Sequence, residues 1–313
     1  MGCVSSKQTS SVDSSQRYQQ SVAEEYETSH TGQTSPRVPR YGELPGPSPS
    51  QQSLLNYYQQ SLIGVARWPD PKYNNETFPQ QQEYGRAFWH GTRNAGAEIA
   101  EGSINSFSQL WNRARQWRQS ITEAHDYDLF GKQRYEGDVN KTPLKGRYEY
   151  LLERYKDRND GEVSDYGDIS FSDFTLREAL NNREIELSRV SIGKNNTFYE
   201  GSSETKNLNF ISHTNPIYHP AILDHVEELY KEAIKAERSD SDVLNILGET
   251  HWWLANAMLD ERGSAAKAEF CVRAIAQARG MDLPPMKHGI VPDIEAMSTS
   301  RNEFVENYSS FFE

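Results

Sequence analysis

Asp260-Glu261-Arg262-Gly263-Ser264-Ala265-Ala266-Lys267 opens a helical pattern that runs to Arg279. Gly280 then stands where a left-handed residue ends a helix, and Pro284-Pro285 follow. Ser264 is expected to cap the helix, with Gly263 allowing a tight approach. The unpaired amides of the first turn would point outward with the positive end of the helix dipole. Arg262 sits beside that anion hole and can clamp a phosphate or carboxylate in a bidentate way, so a nucleotide diphosphate would suit the site. An ordinary capped helix, with Arg262 paired to Asp260 or Glu261 on the surface, fits the same pattern. The motif is not a P-loop: no Gly-rich loop ending in Lys-Ser or Lys-Thr occurs.

Working outward, Ile222, Val226, Leu229, Ala233 and Ile234 make one apolar stripe at helical spacing. Val243, Leu244, Leu247, Leu254 and Met258 make another, entered through Ser239-Asp240. Nearer the N-terminus the spacing predicts a helix from Leu54 through Leu55, Tyr58, Leu62 and Val65, stopped by Pro69 and Pro71. A second is expected over Tyr84–Glu101. A third should start after Ser106 as N-cap and carry Phe107, Leu110, Trp111, Ala114 and Trp117, with both tryptophans in the core.

Between residues 131 and 212 the character changes. A helical signal at Tyr148–Tyr155 gives way to an acidic, Gly-containing stretch over Asp157–Asp173. Ile185, Leu187, Val190 and Ile192 then suggest one or two short strands, and Asn195-Asn196 a turn. The architecture expected is mainly α with a small mixed α/β lobe: a helical core lobe over residues 51–130 and 213–313, and a smaller lobe inserted at 131–212. Residues 1–50, dominated by Ser, Gln, Thr and Pro, read as a flexible tether, with folding expected to begin near Ser53.

Composition bounds the rest. The 313 residues suit one large or two modest domains. Only 35% are hydrophobic while 11% are aromatic, so burial must lean on large rings. No apolar run approaches the roughly 20 residues of a membrane-spanning helix, and no cleaved secretory signal is recognisable. A net charge of -12 argues against general nucleic-acid affinity. Two cysteines, Cys3 and Cys271, make no disulfide framework and fit a reducing compartment.

Three further features bear on chemistry. Met1-Gly2-Cys3-Val4-Ser5-Ser6 fits the N-myristoylation pattern, with Gly2 as acceptor once Met1 is removed. One myristoyl chain binds membranes only marginally, so Cys3 is expected to add palmitate. A polybasic second signal is lacking, since Lys7, Arg17, Arg37 and Arg40 face Asp13, Glu24, Glu25, Glu27 and Glu43. His213-Thr214-Asn215-Pro216 lies at the return from the middle lobe, where His213 could act as acid-base or phosphate-contacting group or be merely structural. Asp293, after Pro292, could be an N-cap or could orient a sugar hydroxyl or a histidine. His125, His219, His225, His251 and His288 show no metal spacing, and no structural zinc is expected.

The chain resembles the AvrB family of type III effectors injected by plant-pathogenic bacteria. The matching stretches are Met1–Lys7, Leu44–Ser48, Leu62–Asp70, His213-Thr214-Asn215, His251-Trp252-Trp253, Arg262–Phe270 and Asp293–Met297, while residues 157–208 match poorly. The resemblance implies a two-lobed fold related to the Fic/Doc (Fido) group and a secretion signal within residues 1–50. It also implies a monomeric protein, lipidated by host N-myristoyltransferase and palmitoylation, acting at the cytoplasmic face of the host plasma membrane. Its partner would be a membrane-associated immune regulator, with host kinases as further partners, and the outcome would be triggered or suppressed plant immunity, including the hypersensitive response. The implied activity is a glycosyltransferase that moves a deoxysugar, rhamnose, from a nucleotide sugar (dTDP- or UDP-rhamnose) to a threonine hydroxyl, without a metal. Alternatives are a non-enzymatic adaptor that promotes phosphorylation of its target and a nucleotidyltransferase. By motif, the cleft residues are Arg262, His213 and Asp293, with Gly263 and Ser264 at the phosphates and Thr142 and Tyr148 docking the acceptor.

The anchor is tested by fractionation of plant cells expressing the chain. Gly2→Ala should move it to the soluble fraction and Cys3→Ser should leave weak, partial attachment; both variants remaining fully membrane-bound would contradict it.

Overall fold

A computed structural model describes residues 44–122, 130–134, 141–166, 169–193 and 209–313. Gly2, Cys3 and the expected turn at Asn195-Asn196 lie outside the described residues. The helices are α1 (Tyr57–Gln60), α2 (Pro79–Ala100), α3 (Phe107–Ser120), α4 (Glu149–Glu153), α5 (His219–Ala233), α6 (Asp240–Ala257), α7 (Ser264–Ala278), α8 (Pro292–Ser298) and α9 (Arg301–Asn307). The strands are β1 (Lys141–Pro143), β2 (Glu162–Tyr166), β3 (Ile169–Leu180), β4 (Arg183–Gly193) and β5 (Phe210–Ser212), forming one antiparallel sheet in the order β1-β5-β4-β3-β2. The molecule is thus helical with a small sheet, as composition and periodicity suggested.

Helix α7 is the hub of the core. Its residues from Lys267 to Ala278 are buried, and it packs along α2, α3 and α6. Rings supply much of the contact: Trp117 stacks on Phe270 with centroids 4.9 Å apart, and Phe88 meets Trp117 edge-on at the same separation. Burying such rings is worth about 1.5–3 kcal/mol each. Trp117 is therefore core, and Trp111 is partly buried against the same cluster. At its end, Met281 N donates to Ala276 O and Gly280 N to Gln277 O, the closing pattern expected for Gly280 at a positive φ. Ser106 and Ser239 cap α3 and α6 as their sequences suggest, accepting from Gln109 N and Asp242 N.

The sheet is larger than its apolar signal suggested. Glu162–Tyr166 and Ile169–Leu180 are strands inside and beyond the acidic stretch, paired as Val163↔Ser172 and Ser164↔Phe171. The polar residues stand on an edge strand, and Phe171 and Phe174 are buried from β3. The hairpin turn falls at Asn181-Asn182, both at positive φ (52° and 61°), a pair that suits the twist of two-residue hairpins. Leu180 and Ile185, flanking that turn, and Leu187 join the helical core, whereas Phe174, Val190 and Ile211 form a second cluster with Trp68, Leu151, Val291 and Ile294.

Three expectations for the N-terminal part are corrected. Ordered structure starts ahead of Ser53: Gly46 N donates to Ala278 O at 3.0 Å, and Ser48 O accepts from Arg93. The helix expected over residues 54–65 shrinks to the four residues of α1. Its apolar spacing is met otherwise, because Leu62, Ile63 and Val65 are buried from turns that cross α2 at Gly85. Helix α2 begins at Pro79, earlier than Tyr84, with the proline in its first turn, where a missing N–H costs nothing.

Gly85 tests this crossing. A β-carbon there would overlap the carbonyl of Ser61, which is backbone and cannot swing aside. Gly85→Ala is expected to lower unfolding free energy by about 1–3 kcal/mol in urea titrations; unchanged stability would contradict the close approach.

Candidate functional site

The turn between α6 and α7 sets the site. Met258 ends α6 in the left-handed region (φ 47°), and Gly263 (φ 84°) immediately precedes α7. A β-carbon on Gly263 would stand 2.8 Å from the Phe130 ring and 3.8 Å from Cγ of Arg118, so the backbone passes close beneath both. Gly263, not Ser264, is the N-cap, and no side chain caps the helix. Ser264 is its first residue, and its hydroxyl accepts from Asp260 N at 2.8 Å and lies 3.1 Å from Asp260 O, tying the turn to itself. The glycine cap frees the first turn from a competing side-chain acceptor.

Asp260 and Lys267 form an ion pair beneath the turn, with the Lys267 side chain 1% exposed and its ammonium 3.9 Å from the Trp111 ring centroid. Burial pushes the carboxyl up and the ammonium down, each against their mutual attraction. Arg134, also buried, donates from Nε to Met258 O (3.1 Å) and from Nη2 to Asp260 O (3.1 Å) and Glu261 O (3.4 Å). Backbone bridges Phe130↔Arg262 and Gln133↔Asp260 complete the clasp. Lys132 pairs with Glu261 at 3.2 Å, and Arg115 acts electrostatically on both Asp260 and Lys267. Among the described residues this turn is surrounded by Arg115, Arg118, Lys132, Arg134, Arg262 and Lys267 against Asp260 and Glu261. In a chain of net charge -12, that is a local excess of positive charge.

The residues singled out from sequence fall into linked groups. Thr142 and His213 meet directly, Thr142 Oγ1 lying 2.7 Å from His213 Nε2 across the neighbouring strands β1 and β5. His213 is 4% exposed, and burial, with Arg134 and His219 adding to it, depresses its pKa to about 3. Burial therefore favours the neutral imidazole, which is hydrogen-bonded to Thr142. Arg134 connects this pair to the α6–α7 turn. Arg262 itself is exposed in its side chain, while its backbone is fixed against Phe130.

Asp293 lies in the first turn of α8, whose N-cap is Val291, and so does not cap the helix. It is half-buried, and desolvation raises its pKa to about 6, with Glu269 adding to the rise and Arg147 opposing it. Arg147 also lies over the ring of Tyr148 at 5.2 Å, and Tyr148 meets Trp68 edge-on at 5.8 Å. Tyr84 behaves as Asp293 does: it keeps solvent-accessible surface, yet desolvation raises its phenol to about 12, with Glu269 and Arg118 both acting on it. Glu269 is common to the electrostatic surroundings of both groups.

Sequence reading missed Tyr84, Arg115, Arg118, Arg134 and Glu269. Arg115 and Arg118 read as the polar face of a helix, and nothing local distinguishes them from Arg113, which pairs with Glu98 at 2.9 Å.

The whole chain, residues 1–313, matches the AvrB/AvrC family, described as avirulence protein, and the protein belongs to that family. A relative, Avirulence protein B of Pseudomonas savastanoi pv. glycinea, is 36% identical over 336 aligned positions, covering 100% of this chain and 99% of the relative.

The shift at Asp293 has a definite sign. Its carboxyl titrates near 3.9 in the unfolded chain and at about 6 when folded, so the charged form is penalised above pH 6 and the penalty disappears below about pH 4. Asp293→Asn is expected to be more stable than the parent at pH 7.5 by about 1–2 kcal/mol after allowance for solvent access, with the gain vanishing at pH 4. Melting curves across that range check it; a gain independent of pH would contradict the desolvated carboxylate.

Proposed function

We propose that this chain is a type III effector delivered into host plant cells, where it is held at the inner face of the plasma membrane by lipid on Gly2 and Cys3. Among the described residues no helix is long and apolar enough to cross a membrane, which is compatible with such an anchor. Its activity would be transfer of a deoxysugar, rhamnose, from a nucleotide sugar to a threonine hydroxyl of a membrane-associated immune regulator. Family membership and the relative's name support the effector role.

The observation that carries the enzymatic reading is the excess of cations gathered at the glycine-capped start of α7 in an acidic chain. Sugar transfer breaks the bond between the anomeric carbon and the diphosphate, which leaves with the electron pair, and forms a bond from that carbon to the threonine oxygen. The departing charge is stabilised by Arg262, its neighbouring arginines and the amides at Gly263-Ser264. The threonine proton goes to Asp293, because a carboxyl titrating near 6 is poised to accept it at neutral pH. Thr142, oriented by His213, and Tyr148, held against Trp68, dock the acceptor peptide.

A mainly helical body with one small antiparallel sheet suits a distant relation to the Fic/Doc group. The sequence His-Pro-Phe-x-Asp/Glu-Gly-Asn-Gly-Arg is not found in the chain, which disfavours nucleotidyl transfer by that route. The exposure of Arg262 favours a second reading, an adaptor that grips the regulator or a host kinase without altering it covalently.

Intact-mass measurement of the host regulator after incubation with dTDP-rhamnose or UDP-rhamnose separates these readings. A deoxyhexose increment that is abolished by Arg262→Ala and reduced at least tenfold in rate by Asp293→Asn is expected. An unmodified target would leave the adaptor, and an AMP-sized increment with ATP would indicate nucleotidyl transfer.

A further inference from the structure

Arg118 is held in place by contacts that include no carboxylate among the described residues. Its Nη1 donates to Thr122 Oγ1 at 2.7 Å, and its guanidinium carbon lies 4.1 Å from the Phe130 ring centroid and 5.8 Å from that of Tyr84. Two aromatic faces and a hydroxyl therefore hold the fork in place. Its Nε is buried with no hydrogen-bond partner, and among the described residues no carboxylate pairs with it. The acidic chain supplies carboxylates freely to other arginines: Arg113 takes Glu98 at 2.9 Å, Arg273 takes Glu269 at 2.7 Å and Arg301 takes Glu249 at 2.8 Å. A guanidinium that is desolvated in part, oriented and, among the described residues, without an anion carries a cost that a bound anion would relieve.

Its neighbours identify the anion. Cγ of Arg118 lies within van der Waals range of the β-carbon position of Gly263, the residue that opens α7. The Tyr84 ring lies beside the Arg118 guanidinium, and desolvation keeps its hydroxyl protonated throughout the neutral range, as a donor. We propose that Arg118 is a second diphosphate-binding guanidinium, working with Arg262 at the start of α7, an inference that rests on the nucleotide-sugar reading of this site. Arg262, exposed, approaches the phosphates from the solvent side. Arg118, clamped on Phe130, approaches from the protein side, and its planar fork engages two oxygens at once. Phe130 acts as a positioning residue that presents the guanidinium edge.

The test is isothermal titration of the full chain with UDP and, separately, with inorganic pyrophosphate. Arg118→Gln is expected to weaken both ligands by about tenfold or more, the scale of one lost charge-assisted contact. Arg118→Lys, which keeps the charge and loses the fork, should weaken both about threefold or more and carries the test if the glutamine variant does not fold. Equal losses for UDP and pyrophosphate assign Arg118 to the phosphates. A loss for UDP alone would overturn the assignment by moving Arg118 to the base, and unchanged affinity for both would overturn it outright. If Arg262→Ala weakens binding while the Arg118 variants do not, only this inference fails. If the parent chain binds neither ligand, the nucleotide-sugar reading fails with it.

Discussion

The structure of the site depends on the buried pairing of Asp260 with Lys267 and on Arg134, which together lock the turn between α6 and α7. A buried ion pair adds little net stability, because desolvation offsets most of its attraction, but removing one partner costs about 3–5 kcal/mol. Its value here is geometric. Lys267 is fixed to Trp111 and Asp260, Arg134 collects the carbonyls of Met258, Asp260 and Glu261, and the chain is forced through left-handed conformations at Met258 and Gly263. With the turn so held, the first amides of α7 and the backbone at Arg262 occupy defined positions. Loosening it would blur the electrostatics that the proposed chemistry requires.

From that turn the rest follows along two directions. Arg134 reaches toward the sheet, where its charge and the surrounding burial keep His213 neutral and bonded to Thr142. Along α7, Glu269 bears on both Tyr84 and Asp293, and Arg147 links Asp293 to Tyr148 and Trp68. The hub helix thus carries positive charge at its start and a carboxylate one and a half turns on. The proposed transfer would need both, cations for a phosphate-bearing donor and a carboxylate toward a proton-yielding acceptor.

Much of the helical frame was legible in the sequence. The capping serines at 106 and 239 and the stop at Gly280 act within one turn of chain, so local pattern suffices for them. The stretch over residues 54–65 misled because its apolar spacing serves turns packed across α2, and only the tertiary contact at Gly85 decides that. Residues 162–180 escaped because an edge strand carries polar side chains and takes its pairing from a distant segment. The hairpin signal lies in Asn181-Asn182, whose positive φ values distinguish it from other Asn pairs only once the chain is folded. At the site, Arg262, Asp293, His213 and Thr142 were marked by motif, and the structure joins Thr142 to His213 directly. Tyr84, Arg118, Arg134 and Glu269 carry no motif, since their surroundings are a property of packing that spacing does not encode. The same holds for the direction of the shifts at His213 and Asp293, which follows chiefly from desolvation with neighbouring charges added.

The central claim is that the arginine-rich start of α7 receives a diphosphate. Its most direct measurement is a crystal structure of the protein with UDP-rhamnose. The account predicts phosphate oxygens at the amides of α7's first turn, within hydrogen-bond reach of Arg262, and the sugar directed toward Asp293. Well-ordered nucleotide sugar bound elsewhere, with this turn in contact only with water, would contradict it.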